Sequence, residues 1–223
     1  MGIAVTCDGP DPHGHALLAS GIGGRTQSRH TEVVGAWRQV FTEAGGMVPD
    51  RNMERMLSRT NIPIPPHDQR RLDMVVTCLQ VERGLPLFCD ATVVSPITAI
   101  GAPRGGTSNA GGRLLDRAEA VNNNTYPEVI DSGLGSLQCL GVETYGRWGR
   151  QAVQLVPKLA HERTRRLHPR IQRGVALGLL HRWWGILGIA VQKAVARSVH
   201  DPYGDLPRTP LEPPCVFAEL EVI

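Results

Sequence analysis

None of the five cysteines, Cys7, Cys78, Cys89, Cys139 and Cys215, forms a CxxC pair with another. Scattered in this way, they frame no disulfide scaffold and suit a reducing, intracellular compartment. The first fifteen residues, MGIAVTCDGPDPHGH, lack both a basic start and a long apolar run, so no signal peptide reads from them. No internal repeat is evident. What is present is ordinary for a folded protein: 41% apolar and 20% charged residues argue against wholesale disorder. With 223 residues the chain can bury one sizeable core, and 25 glycines and 17 prolines point to many turns.

Charge is uneven. The chain carries +3 overall, but residues 147–197 hold eleven Lys/Arg against the single acid Glu162, which is +10 and leaves −7 for the rest. Such asymmetry points to a polyanion partner, DNA or RNA, with a solvated helix face as the plain alternative.

Apolar spacing organises the chain. Residues 1–29 read as loop. Val33, Trp37, Val40, Phe41 and Ala44 share one face of a helix over 29–46, which Thr31 would cap and Gly45-Gly46 would stop. Residues 49–69, with four prolines, read as an inserted loop. Two strands follow, 71–78 and 86–95, joined by a turn. APRGGTSNAGG (102–112) is a Gly-rich loop, 113–124 a helix and 137–146 a strand. Residues 147–166 form a helix interrupted or kinked at Pro157, and 174–199 a long apolar helix. His181 and Arg182 interrupt that apolar run, so it reads as a packed helix and not as a membrane span. Val153, Leu155, Leu159, Leu177, Leu180, Trp184 and Leu187 are expected to face inward. Residues 200–223 are a Pro-rich tail. The order implies a mixed α/β fold: a small mixed central sheet flanked by helices, followed by a basic helical extension over 147–199.

Each of the two strands around the turn contains one aspartate, Asp73 and Asp90, although aspartate is depleted in strands. If both point to one face of the hairpin, their carboxylates crowd and resist joint ionisation unless a divalent cation lies between them. Mg²⁺ (or Mn²⁺) takes one or two carboxylates together with phosphate oxygens, and serves phosphodiester displacement.

Five short stretches in order, RHTEVVGAW, RRLDMVV, FCDATVVSP, AEAVNNNTY and VETYGRWGRQA, make the chain resemble a known family. It is similar to the restriction-endonuclease-like (PD-(D/E)xK) domain at the C-terminus of site-specific non-LTR retrotransposon reverse-transcriptase polyproteins. The likeness runs from residue 7 to about 199. It implies a restriction-endonuclease-like core over 30–146 and Mg²⁺-dependent DNA strand cleavage that primes reverse transcription. It also implies a nuclear location, and a fragment or degenerate copy, since no polymerase motif is present. Asp73 and Asp90 would be metal ligands, Glu32 or Glu43 could complete the metal shell, and Asn122 and Tyr126 would sit at the edge of the catalytic site.

The departures are specific. Residues 1–29 stand where a zinc knuckle is expected, but only Cys7, His13 and His15 remain and Ser20 replaces a final cysteine, so no structural zinc is expected. The lysine of the general pattern would fall at Thr92, and that of the retrotransposon branch at Asn122, four residues before Tyr126. Arg113 or Arg117 could substitute. Impaired activity is therefore expected. The rival function is a nucleic-acid-binding module without chemistry, holding phosphates through Arg163, Arg165, Arg166, Arg170 and Arg173. His30 reads as a phosphate contact or a cap, and Trp183 and Trp184 as core.

Overall fold

A computed structural model describes residues 15–19, 25–49, 54–55, 61–64, 67–68, 70–107 and 110–200. The expectations for Cys7, His13, Ser20, most of 49–69 and the tail after His200 lie outside the described residues. The elements are α1 (His15–Ala19), α2 (Arg25–Ala44), β1 (Glu54–Arg55), β2 (Arg71–Leu72), β3 (Met74–Val76), β4 (Leu87–Val94), α3 (Arg113–Thr125), α4 (Pro127–Ser132), β5 (Ser136–Glu143), α5 (Arg150–Thr164) and α6 (Pro169–His200).

The fold is mixed α/β with a small three-stranded sheet in the order β3-β4-β5. β3 pairs antiparallel to β4, with Met74 opposite Cys89, and β4 pairs parallel to β5, with Asp90 opposite Cys139. A parallel pair needs a long crossover, and α3 and α4 supply it. Alternation along β4 then divides the packing. Leu87, Cys89 and Ala91 join Trp37, Phe41, Leu155, Leu159, Trp183 and Leu187 in one apolar core. Phe88 turns to the opposite face, beside Val75, Tyr126 and Val129. Helices thus cover both faces: α2, α5 and α6 on one, α3 and α4 on the other.

α2 forms where the spacing of Val33, Trp37, Val40 and Phe41 requires it, and all four are fully buried. It ends at Gly45, whose φ of +95° suits a residue without a side chain. A Cβ at the next residue, Gly46, would stand 2.9 Å from Val76 of β3, so that glycine sets how closely α2 approaches the sheet. The helix begins at Arg25, four residues before the expected start, and α1 precedes it. Thr31 is therefore inside the helix and not its cap. Gln27 and Ser28 hide the first turn from apolar spacing, while buried Arg29 secures it by donating from Nη1 to the Leu18 carbonyl at 2.8 Å.

Residues 147–199, read above as an extension, share the core of the sheet. α5 runs unbroken through Pro157. The carbonyl that the ring deprives of its partner belongs to Val153, which is half exposed and can be hydrated. Val153 and Leu177, expected inward, are exposed, while Trp183, read as core, is fully buried. Trp184 is partly buried, with its ring 5.8 Å from that of Trp148.

Among the described residues one helix, α6, is long and apolar enough by length and composition to cross a membrane. Its later turns do the work of a core helix: Trp183, Leu187, Ala190, Val191 and Ala194 pack inward. Among the described residues two ion pairs tie α6 to α2. Arg197 meets Glu32, and Arg182 forks onto Glu43 at 2.7 and 2.8 Å, while Trp183 Nε1 donates to Glu43 at 2.9 Å. Arg182 above all holds the Glu43 carboxyl down, to about 2.

Candidate functional site

Asp73 is the break between β2 and β3, and its backbone N–H donates to the Cys89 carbonyl at 3.1 Å. Asp90 follows Cys89, so the two aspartates flank the pair Met74–Cys89 on adjacent strands. The Asp73 carboxylate is buried and held by two donors on one oxygen. Oδ2 accepts the Ala91 N–H at 2.6 Å and the His30 Nε2–H at 2.9 Å. His30 stands one turn into α2, and the hydrogen bond to Asp73 raises its pKa against the opposing effect of burial, with Asp90 adding in the same direction.

Asp90 is the perturbed acid. Burial raises its pKa first and the Asp73 charge adds to this, while His30 and a hydrogen bond with Thr92 pull the other way; the result is about 7. The carboxylates crowd as their placement on neighbouring strands implies.

Asp90 opens into a pocket of about 520 Å³ between β4 and α3. Thr92, Arg104, Arg117, Asn122 and Tyr126 also line it, so three of the four expected catalytic positions meet here, with Asp73 beside them. Two of those three are constrained. The Tyr126 hydroxyl donates to the Arg71 carbonyl at 2.6 Å, and burial, then Asp90 and Asp73, push its pKa up. It is a structural tie to β2 and not a free proton donor. Arg70 lies over its ring at 5.9 Å and bridges Asp68 to Glu128, which fixes the α3–α4 corner. Asn122 is 5% exposed, and neither its amide nitrogen nor its oxygen has a hydrogen bond of good geometry. It lies beside the Cys139 thiol, whose pKa burial raises and the amide partly lowers.

Glu32 and Glu43, expected as further metal ligands, do not join this group. Both turn toward α6 and pair with Arg197 and Arg182, because packing of α6 claims that face of α2. Among the described residues no group of three or more His, Cys, Asp or Glu is placed to hold a metal ion. Arg117 lines the pocket and Arg113, one turn earlier, does not.

Arg104 and His30 are the contributions that spacing could not place. Arg104 is a lone cation in the Gly-rich loop, anchored by Nε donating to the Ser95 and Ile97 carbonyls at 3.0 and 3.2 Å. His30 was read as a phosphate contact or a cap, and the structure places it instead on the Asp73 carboxylate. Arg104, Arg113 and Arg117 have no carboxylate partner among the described residues.

The other basic group is separate. Arg163, Arg165, Arg166, Arg170 and Arg173 are all exposed around the α5–α6 corner and share none of the pocket lining. Only Arg165 of the five is in an ion pair among the described residues, with Glu162 at 3.0 Å. Exposed Leu167, Ile171, Val175 and Leu177 alternate with them.

No family model matches the chain, and no curated protein matches it either.

Proposed function

We propose that this chain is a degenerate piece of a retrotransposon endonuclease domain. Its core would be restriction-endonuclease-like, and its ancestral reaction Mg²⁺-dependent cleavage of a DNA strand in the nucleus. The observation that carries the reading is the division of charge around one pocket: Asp90 in its lining with the Asp73 charge acting on it, and the exposed guanidiniums of Arg104 and Arg117, without carboxylate partners among the described residues, in the same lining. A plain anion site has no use for the acids, and a plain cation site has none for the arginines. A divalent ion with a phosphodiester uses both.

The residues fit such an ion in a limited sense. Asp73 and Asp90 would hold it, with Asp73 Oδ1 carrying no hydrogen bond among the described residues. Two carboxylates make no all-protein cage, so water and substrate phosphate would fill the remaining positions, as Mg²⁺ commonly accepts. When bound, the ion supplies charge for the displacement at phosphorus. The chain's own groups orient and neutralise: His30 and the Ala91 N–H fix the Asp73 carboxylate, and Arg104 and Arg117 face the phosphate. Thr92 and Asn122 stand where a lysine is expected, which supports impaired activity.

The test is thermal unfolding with Mg²⁺ or Mn²⁺ at pH 8. Metal at 100 times its Kd should add about 2.7 kcal/mol, and Asp73→Ala should abolish the increment. An increment that survives this change places the ion elsewhere.

The second reading, binding without chemistry, is favoured by the exposed arginines of the α5–α6 corner. About five phosphate contacts give a salt slope near −4 to −5 on a log–log plot, with little base preference. Replacing Arg165, Arg166 and Arg170 by Ala should flatten that slope by roughly three times 0.9. An unchanged slope would leave these arginines as a solvated surface.

A further inference from the structure

The pocket beside Asp90 has a second property that charge alone does not explain. Part of its wall is aliphatic: Val93 and Val94 from β4, and Leu114, Ala118 and Val121 from α3. At about 520 Å³ it lies within the roughly 300–1,000 Å³ of sites that enclose a small ligand. Cations stand at the mouth. Arg117 is on the turn of α3 that carries Leu114 and Ala118, and Arg104 approaches from the loop after β4, held there by its two backbone carbonyl contacts. Both guanidiniums are exposed and without a carboxylate partner among the described residues. Groove contacts to a duplex backbone need a charged surface and no apolar cavity behind it. A planar apolar body carrying an anion needs both, with the body inside and the anion outside.

We infer that this pocket takes one unpaired nucleotide, its base against the aliphatic side formed by Val93, Leu114, Ala118 and Val121 and its phosphate on Arg104 and Arg117. The inference rests on the reading of the site as a phosphodiester site, and it narrows the substrate class to a single strand or to a nucleotide turned out of a duplex. A paired base cannot enter such a cavity without leaving its stack, which costs a few kcal/mol. The aliphatic side offers a base surface and no hydrogen-bond code, so discrimination between bases rests on the polar lining, Asp90, Thr92 and Thr125.

The experiment is equilibrium binding of fluorescent oligonucleotides to the full chain in EDTA, where the metal site plays no part. A mixed-sequence single strand should bind at least tenfold more tightly than its duplex. Val121→Trp fills the mouth from a position already 57% exposed, and should bring the single strand down to the duplex level while leaving the duplex unchanged. Ala118→Trp repeats the test from inside the wall, with a melting curve to confirm folding. Arg104→Ala with Arg117→Ala should weaken the single strand about tenfold or more. Competition separates the sources: a nucleoside monophosphate that displaces the strand at micromolar concentration identifies a free nucleotide as the ligand, whereas displacement only at millimolar concentration identifies a nucleotide within a strand. Inorganic phosphate alone should not compete at either level. Equal binding of strand and duplex, or a strand preference that both tryptophan variants retain, overturns the inference. Because no metal is present, neither result depends on whether Asp73 and Asp90 bind an ion, and loss of the Mg²⁺ increment leaves this binding intact.

Discussion

Asp90→Asn should make the protein more stable at pH 8 and hardly change it at pH 4. The folded state raises the Asp90 pKa from 3.8 to about 7, chiefly by burial and then by Asp73. Between those values the native state binds a proton that the unfolded state has released. The stabilisation is complete below about pH 4 and is lost as pH rises through about 7. Above that, wild type bears the cost of an ionised carboxylate in a buried, like-charged place, and asparagine does not. At about 1.36 kcal/mol per pH unit, the cost is capped at about 4 kcal/mol. Urea unfolding of both proteins from pH 4 to pH 8.5 measures it. The gap should open between pH 4 and pH 7, and divalent metal at pH 8 should close it by stabilising wild type alone. A gap that stays flat with pH would show that Asp90 titrates as an ordinary surface carboxylate, and the crowded acid pair would go with it.

Asn122 should separate stability from chemistry. Its carboxamide is buried without a good hydrogen bond, a condition that costs about 1–3 kcal/mol. Asn122→Leu has nearly the same shape and no polar atoms, so it should raise stability by about that amount and leave activity low. Asn122→Lys should do the reverse. Burial of the ammonium lowers stability, but its charge can reach the acid pair, and electrostatic groups of this kind are worth about 10²–10³ in rate. Nicking of supercoiled plasmid with Mg²⁺ is the measurement: weak or absent for wild type and for the leucine variant, and increased by about that factor for the lysine variant. Robust nicking by wild type that disappears in Asp90→Ala would show that a cation already present, Arg117 being the nearest candidate on α3, has taken the role of the lysine.

Apolar spacing made much of the architecture legible. The buried face of α2 and the helix before Tyr126 follow from residues three or four apart, because a helix buries one side, and the pairing of β3 with β4 follows from the short turn that joins them. The N-terminal turn of α2 was not legible, since a polar residue at a helix start has no period to betray it. The inward face of α6 was misjudged in part, for a related reason. That helix is apolar nearly all round, so its sequence holds no preferred side; Trp183 and Leu187 are buried as expected, and only packing on α2 and α5 leaves Leu177 outside.

At the site, the sequence by itself singled out the two acids that the structure brings onto adjacent strands. One aspartate in each of two adjacent strands is a local anomaly, and the alternation of side chains carries it to a common edge. It also determined that residues 92 and 122 are Thr and Asn and not lysine, since a residue type needs no fold to be read. The tertiary structure decided everything that joins distant segments. It turned Glu32 and Glu43 away to α6, brought His30 onto Asp73 across 43 residues, and placed Arg104 and Arg117 at one pocket mouth. Such groups have no common period, because what brings them together is the packing of separate elements on one sheet, and charge counted along the chain cannot record it.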